Sequence, residues 1–350
     1  MSIKVYTFFN TINYGALLQS LCLKNFIENT TNIKIVYDKY QPKKLIFAEF
    51  YRPLITKNLF KLKNTLKKNY KIYKWKKIAN QSLKRDYLND IDDVKLSIYG
   101  SDEIWNFQNA YHKYDPHFFG SNNNSKKITY AVSIGRAKYD DLTEFQKMEI
   151  KKNLEKFDSI SVRDENTALL VKKMINFNPI IVVDPTLLYT PPILEDSSLA
   201  DYREDKNYAV VYGNVFSEKQ KKEIHDFCNK NNLNLISVGY LNKWIKKNYI
   251  DLDPTGFFQL MKKSTFVFTS MFHGIMFSVK LQKQFYYVVD PIRENKINFF
   301  VNKLNLKERE IREKINNTKE INYEDVYKIL NQWIDESKTF LIDSINKNYL

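Results

Sequence analysis

Apolar residues along this chain fall into short continuous runs, separated by longer stretches where they recur every third or fourth position. The short runs predict strands at residues 3–8, 33–37, 95–99, 128–133, 159–162 and 180–183 in the first half. The longer stretches predict helices near 14–28, 141–157 and 166–174, and helical structure in the segment 57–85. A second set follows the same rhythm, with strands at 208–212, 234–238, 265–269 and 285–289. Its helices are expected at 217–231, 255–262 and 294–304, with another opening near His273. Strands that alternate with helices argue for parallel α/β construction. The expected fold class is therefore α/β, two Rossmann-like domains facing each other across a cleft, over residues 1–190 and 206–320. The polar, weakly patterned stretch 195–207 is the linker candidate. Residues 321–350 form a helical tail, with Val326, Ile329, Leu330, Trp333 and Ile334 at helical spacing, expected to pack back across the first domain.

Glycine sharpens this picture. Only eight occur in 350 residues, about a third of the ordinary frequency of roughly 7%. Gly100, Gly135, Gly213, Gly239 and Gly274 stand at or soon after the ends of apolar runs. A strand that turns sharply into a loop or helix needs a residue without a Cβ, and open parallel sheets bind ligands at the carboxyl ends of their strands. The glycines thus mark an expected active-site rim.

Composition adds limits. A hydrophobic content of 43% is that of a folded globular chain, and no apolar run approaches the ~18 residues of a membrane-spanning helix. The opening run 1–7 reads as a first strand, too short and interrupted for a secretory signal. Cys22 and Cys228 have no metal or redox spacing and read as two buried thiols in a reducing cytoplasm. The net charge of +15 is concentrated: residues 57–85 hold eleven Lys or Arg and no acid. Apolar residues interleave there (Leu59, Leu62, Leu66, Tyr70 and Tyr73, with Phe60, Trp75 and Ile78 on a neighbouring face). Such a segment suits peripheral contact with an anionic membrane or glycolipid; a solvated pair of helices is the plain alternative. No nucleic-acid-binding motif accompanies it, so nucleic acid is not an expected partner.

Several strand ends carry candidate chemistry. In 269–278, a buried run ends, a polar turn follows, and His273 sits beside Gly274 as an apolar helix begins. Backbone N–H groups at a helix start favour an anion, and a histidine there can serve as acid or base, or it can simply close the turn. In 100–106, Asp102 or Glu103 could orient or deprotonate a hydroxyl and Trp105 could stack on a sugar; helix capping and a core tryptophan are the alternative. Arg163 ends another strand and suits a carboxylate or phosphate, or a surface pair with Asp164 or Glu165. Asp184 reads as a turn former. Arg293 and Lys296, opening a late helix, could reach the cleft or be solvated. Asn13, Tyr14 and Gly15 complete the rim. No dinucleotide fingerprint, Walker loop, zinc spacing or nucleophile elbow is present, so neither a metal nor a cofactor is expected.

Taken in order, these blocks resemble the polysaccharide pyruvyl transferase family. They are 8–19, 99–106 (Tyr-Gly-Ser-Asp-Glu-Ile-Trp-Asn), 130–135, 161–164 (Ser-Val-Arg-Asp), 184–188, Phe272-His273-Gly274 and 293–297. The resemblance implies a GT-B-like arrangement and transfer of a pyruvyl group from phosphoenolpyruvate to a sugar, with a ketal formed and phosphate released. It implies that residues 1–190, with the basic insertion 57–85, take the acceptor, a glycan or lipid-linked oligosaccharide. Residues 206–320 then take phosphoenolpyruvate as co-substrate, with no other cofactor. The carry-over makes His273 the acid, and Asp102 or Glu103 the base. It assigns the donor to Arg163, Ser270, Gly274, Arg293 and Lys296, and the acceptor to Asn13, Tyr14, Gly15 and Trp105. Some relatives carry an arginine just before the Phe-His-Gly block, where this chain has Met271 and Phe272; Arg293 or Lys296 would compensate. The expected location is cytoplasmic, with peripheral contact at the inner face of the plasma membrane. A nucleotide-sugar glycosyltransferase on the same scaffold and a non-catalytic, membrane-associated glycan-binding protein are the rival readings.

Overall fold

The computed structural model describes residues 2–82, 94–121, 124–199, 207–316 and 319–349. Lys84 and Arg85, Asn122 and Asn123, and residues 200–206 of the linker candidate lie outside the described residues. Among the described residues, eleven strands run in chain order: β1 Ser2–Tyr6, β2 Lys34–Tyr37, β3 Val94–Tyr99, β4 Lys126–Thr129, β5 Ser161–Val162, β6 Ile180–Ile181, β7 Tyr208–Tyr212, β8 Asn234–Val238, β9 Lys247–Tyr249, β10 Phe266–Thr269 and β11 Gln284–Tyr287. The α-helices between and after them are α1 Tyr14–Thr31, α2 Lys43–Ile46, α3 Leu59–Ser82, α4 Glu144–Leu154, α5 Glu165–Ile175, α6 Pro185–Leu188, α7 Pro192–Glu195, α8 Glu218–Lys230, α9 Pro254–Lys263, α10 Phe272–Lys280, α11 Glu294–Lys303 and α12 Tyr323–Tyr349.

The chain divides into two compact units: residues 1–51, 80–189 and 330–350, and residues 52–79 and 190–329. Every strand pairing within them is parallel, so the α/β class read from the alternation is the fold observed. The basic segment, expected as an insertion in the first domain, instead contributes residues 52–79 to the second unit. Its physical reason is local. Trp75 is buried and its indole N–H donates to Thr255 Oγ1 at 2.8 Å, while Lys71 pairs with Asp251 at 3.4 Å. Within the described residues it is one helix, not a pair.

In the first unit the sheet order is β2-β1-β3-β4, and bridges Ile128↔Ser159 and Val132↔Val162 continue it to β5 and β6. Helix α1 is buried almost all round from Tyr14 to Ile27, which is why its apolar pattern lacks a polar face. Residues 330–350 close this unit: Trp333 Nε1 donates to the Ile181 carbonyl and Ser337 Oγ accepts from the Val183 N–H.

In the second unit the order is β11-β10-β7-β8-β9. Strand β7 is central and buried along its whole length, as its Tyr-Ala-Val-Val-Tyr sequence demands. Read from the edge, β9-β8-β7-β10-β11 is the doubly wound order 3-2-1-4-5, and the first unit follows the related 2-1-3-4 order. In each, the order reverses once: between β1 and β3, and between β7 and β10. In doubly wound folds the helices on either side of such a point leave for opposite faces, and ligands bind outside the carboxyl ends of the two strands there.

Gly100, at the end of β3, shows how tightly that edge is built. Its φ is +119°, and a Cβ there would lie 2.2 Å from the Tyr130 carbonyl oxygen. Gly100→Ala should therefore destabilise the fold by about 1–3 kcal/mol from backbone strain alone; chemical denaturation with an unchanged midpoint would contradict this.

Candidate active site

At the first reversal, the loops leaving β1 and β3 are joined by side chains. Thr7 Oγ1 donates to the Ser101 carbonyl at 3.0 Å and accepts from Gln19 Nε2 at 3.0 Å; Ser101 Oγ in turn donates to Gln19 Oε1. All three residues are buried, so a polar group of α1 locks two loops that the sequence separates widely. The next residue, Asp102, sits at φ +80°, a conformation that few non-glycine residues adopt and that clusters at functional sites.

Asp102 faces Arg163. The guanidinium is 3% exposed, donates from Nη1 to the fully buried Asp184 at 2.9 Å, and places Nη2 3.6 Å from Asp102. Burial pulls its pKa down, but the charges of Asp184, Asp102, Glu103 and Asp164 outweigh this and raise it. Arg163 is buried against Asp184 rather than sitting in the surface pair weighed from sequence. Asp164 caps α5 through Thr167 and accepts from Ser133 Oγ at 2.6 Å. Asp184 also caps α6, through the N–H and hydroxyl of Thr186. Blocks 99–106, 130–135, 161–164 and 184–188 are thus one buried polar network at the strand ends.

Other expected residues of this unit take different positions. Trp105 is fully buried, stacks on Phe119 at 5.1 Å and donates to the Phe118 carbonyl, so it has no face for a sugar. Tyr14 is 2% exposed and belongs to the core; Asn13 is exposed and caps α1 through the N–H of Gly15. Glu103 accepts from Asn106 Nδ2 at 2.9 Å and packs where a Cβ on Gly135 would stand.

The structure also displays a pair that the sequence does not signal. Asp38, directly after β2, is 2.7 Å from His117 Nε2. Tyr40 packs on the His117 ring at 4.2 Å and donates its hydroxyl to Asp115 Oδ2 at 2.6 Å; burial and Asp115 push that hydroxyl up to about 12. Both members of the pair are partly exposed, at 22% and 14%. Residues 79 positions apart in the chain leave no spacing motif, though Asp38 ends an apolar run just as the chosen blocks do.

The second reversal holds the Phe-His-Gly block. Strand β10 ends at Thr269, Ser270 and Met271 turn the chain, and α10 starts at Phe272 with His273 in its first turn. The positive end of that helix lies at the carboxyl end of β10, beside that of β7. Ser270 is fully buried and its hydroxyl accepts from the Val215 N–H at 3.4 Å, so it braces the turn after Gly213 rather than facing a ligand. Gly274 is there for packing: a Cβ would meet Thr269 Oγ1 at 2.0 Å and Tyr212 Cδ1 at 3.0 Å.

Two cations gather at this turn. Lys296 Nζ lies over the Phe272 ring at 5.3 Å, and that ring is 5.6 Å from His273. Arg293 pairs with Asp290 and acts on Tyr240, whose hydroxyl approaches Met271 Sδ at 3.5 Å; burial raises the Tyr240 pKa and Arg293 partly offsets it. Arg293 and Lys296 therefore share the His273 turn, and Arg163 lies in the other unit. Cys22 and Cys228 are buried and not joined in a disulfide, and burial pushes Cys228 up to about 12. Among the described residues, no group of acidic, histidine or cysteine side chains could hold a metal ion.

The chain belongs to the polysaccharide pyruvyl transferase family, whose model matches residues 13–291. It is thus a transferase enzyme concerned with polysaccharide pyruvylation. Arg293 and Lys296 lie just beyond the matched span, so their part rests on geometry alone. No curated protein sequence gives a significant match. Among solved structures, the chain is similar to a UDP-GlcNAc 2-epimerase from Neisseria meningitidis bound to UDP-GlcNAc, at 8% identity and a TM-score of 0.49, covering 99% of this chain and 100% of that one. It is also similar to S. aureus MnaA in a co-structure with UDP (12%, TM-score 0.47, covering 97% and 89%) and to E. coli heptosyltransferase WaaC with ADP (10%, 0.40, 96% and 100%). Likeness at this level assigns no ligand to this chain.

Arg163→Ala would leave Asp184 buried without its counter-charge. It should lower stability by about 3–5 kcal/mol, measured by urea unfolding, with Arg163→Lys recovering only part because it lacks the planar fork.

Proposed function

We propose that this enzyme transfers the pyruvyl group of phosphoenolpyruvate to sugar hydroxyls of a cell-surface polysaccharide or its lipid-linked precursor, closing a ketal and releasing phosphate. The observation that carries this reading is the gathering of His273, the start of α10, Lys296 and Arg293 at the β7–β10 reversal of a chain from this family. Phosphoenolpyruvate carries a carboxylate and a phosphate. A helix N-terminus and two cations in one turn are the complementary charge.

In this reading His273 gives a proton to the methylene carbon of the donor, leaving an oxocarbenium-like centre at the carbon that bears phosphate. A sugar hydroxyl adds to that carbon and loses its proton; phosphate leaves; a second hydroxyl adds and loses its own. One proton is taken up at carbon and two are released, the difference leaving with phosphate. Holding the departing phosphate against preorganised positive charge supplies much of the acceleration.

Asp102 or Glu103 is taken as the group that orients or deprotonates the acceptor hydroxyl; Asp102 faces the Arg163 guanidinium and Glu103 accepts from Asn106. An acceptor carried on a lipid would be met at an anionic membrane surface, to which a chain of charge +15 is attracted.

His273→Ala should lower phosphate release by about 10²–10⁴-fold while phosphoenolpyruvate still raises the melting temperature. Lys296→Ala should raise KM for phosphoenolpyruvate roughly tenfold or more, the usual loss of a charged contact. A thermal shift with a nucleoside diphosphate and none with phosphoenolpyruvate would overturn the reading. So would the absence of phosphate release across a panel of free and lipid-linked glycans.

A further inference from the structure

Helix α3 is docked along one side and unusually apolar on the other. Ile72, Trp75 and Ala79 are 1–3% exposed and face the second unit. At 3.6 residues per turn they fall within an arc of about 60°. Leu59, Leu66, Tyr70 and Tyr73 fall within a similar arc about half a turn away, and their exposures are 79%, 52%, 57% and 56%. Single exposed apolar residues are ordinary on a protein surface, but four aligned over four turns make a stripe, which marks an interaction site.

The stripe is edged with base. Lys63, Lys67 and Lys74 are exposed along one side of it and Lys77 within its arc, and no acid occurs from residue 57 to 85. The Lys74 ammonium lies 4.6 Å from the Tyr70 ring centre and that of Lys77 lies 4.8 Å from Tyr73, so the cations edge the aromatic rings. The docked side is fixed by the Trp75–Thr255 hydrogen bond and the Lys71–Asp251 ion pair, which keep the stripe turned outward.

We propose that the outward face of α3 is a docking surface for an anionic lipid bilayer. Leucine and tyrosine side chains enter the boundary between headgroups and acyl chains, where tyrosine is favoured, and the lysines engage lipid phosphates. Duplex or single-stranded nucleic acid would account for the lysines but not for the leucines. A second copy of this chain would bring one lysine-rich face against another. The helix lies flat against the surface; no helix among the described residues is long and apolar enough to cross a membrane. This surface is read independently of the reaction proposed above.

The test is vesicle co-sedimentation of the full chain, without donor or acceptor, using phosphatidylcholine alone and phosphatidylcholine with phosphatidylglycerol. Binding is expected only with phosphatidylglycerol and should weaken as salt rises. Changing Lys63, Lys67, Lys74 and Lys77 together to Gln should reduce partitioning at least about tenfold. A Leu59→Ser, Leu66→Ser, Tyr70→Ser variant should reduce it at constant charge. These residues are exposed, and an unchanged circular dichroism melt confirms that the variants fold. Turnover on a soluble acceptor should not change, so loss of vesicle binding and loss of the proposed reaction are read separately. Wild-type protein that stays in the supernatant at low salt overturns the proposal. So does vesicle binding that survives both sets of changes. An oligonucleotide that displaces the vesicles and binds the serine variant at full strength also overturns it, as does a stripe mutation that splits a dimer.

Discussion

Each sheet of this protein is parallel, and in each the strand order reverses once. That constraint governs the rest of the site. Parallel strands all finish at the same edge, and at the reversal the connecting chains depart to opposite faces, so the space between them is left for side chains or ligands to fill. In the first unit the protein fills part of it with Thr7, Gln19 and Ser101. In the second, Phe272 and His273 open a helix there, with Gly213 and Gly274 permitting the close approach of strand, turn and helix.

The buried charges explain why the first unit holds so many polar residues in its loops. Four carboxylates, those of Asp102, Glu103, Asp164 and Asp184, act on one guanidinium, and each is also bound by other groups. A buried ion pair is favourable only when its remaining lone pairs are satisfied, and here helix caps and hydroxyls do that work. The consequence is a rim whose geometry is fixed before any ligand arrives. Preorganisation of this kind is what an enzyme that stabilises separated charges requires.

Much of this was legible beforehand, and the reason differs from residue to residue. The strand-helix rhythm shows in the sequence because parallel strands are apolar throughout and their helices are not. Gly100, Gly213 and Gly274 stood out because a chain so poor in glycine keeps it where a Cβ would strike backbone or a neighbouring side chain. His273 stood out because an apolar strand, a polar turn and an apolar helix meet around it. Other side chains gave no such cue. Trp105 and Tyr14 carry the chemistry of a sugar platform, but their aromatic area is held in the core. Arg163 could be seen as an anion ligand, yet its carboxylate neighbours come from segments far apart in the chain.

The sequence by itself determined the parallel α/β class, the positions of the strand ends and the order of the family's blocks, because these depend on periodicity and on local backbone demands. Tertiary structure alone decided which strand ends become neighbours. It joined Asp38 to His117, brought Lys296 and Arg293 to the His273 turn, and gave the basic helix to the second unit through Trp75. The physical reason is that a strand's register and a helix's docking side are set by partners tens to hundreds of residues away. No pattern within a single segment records them.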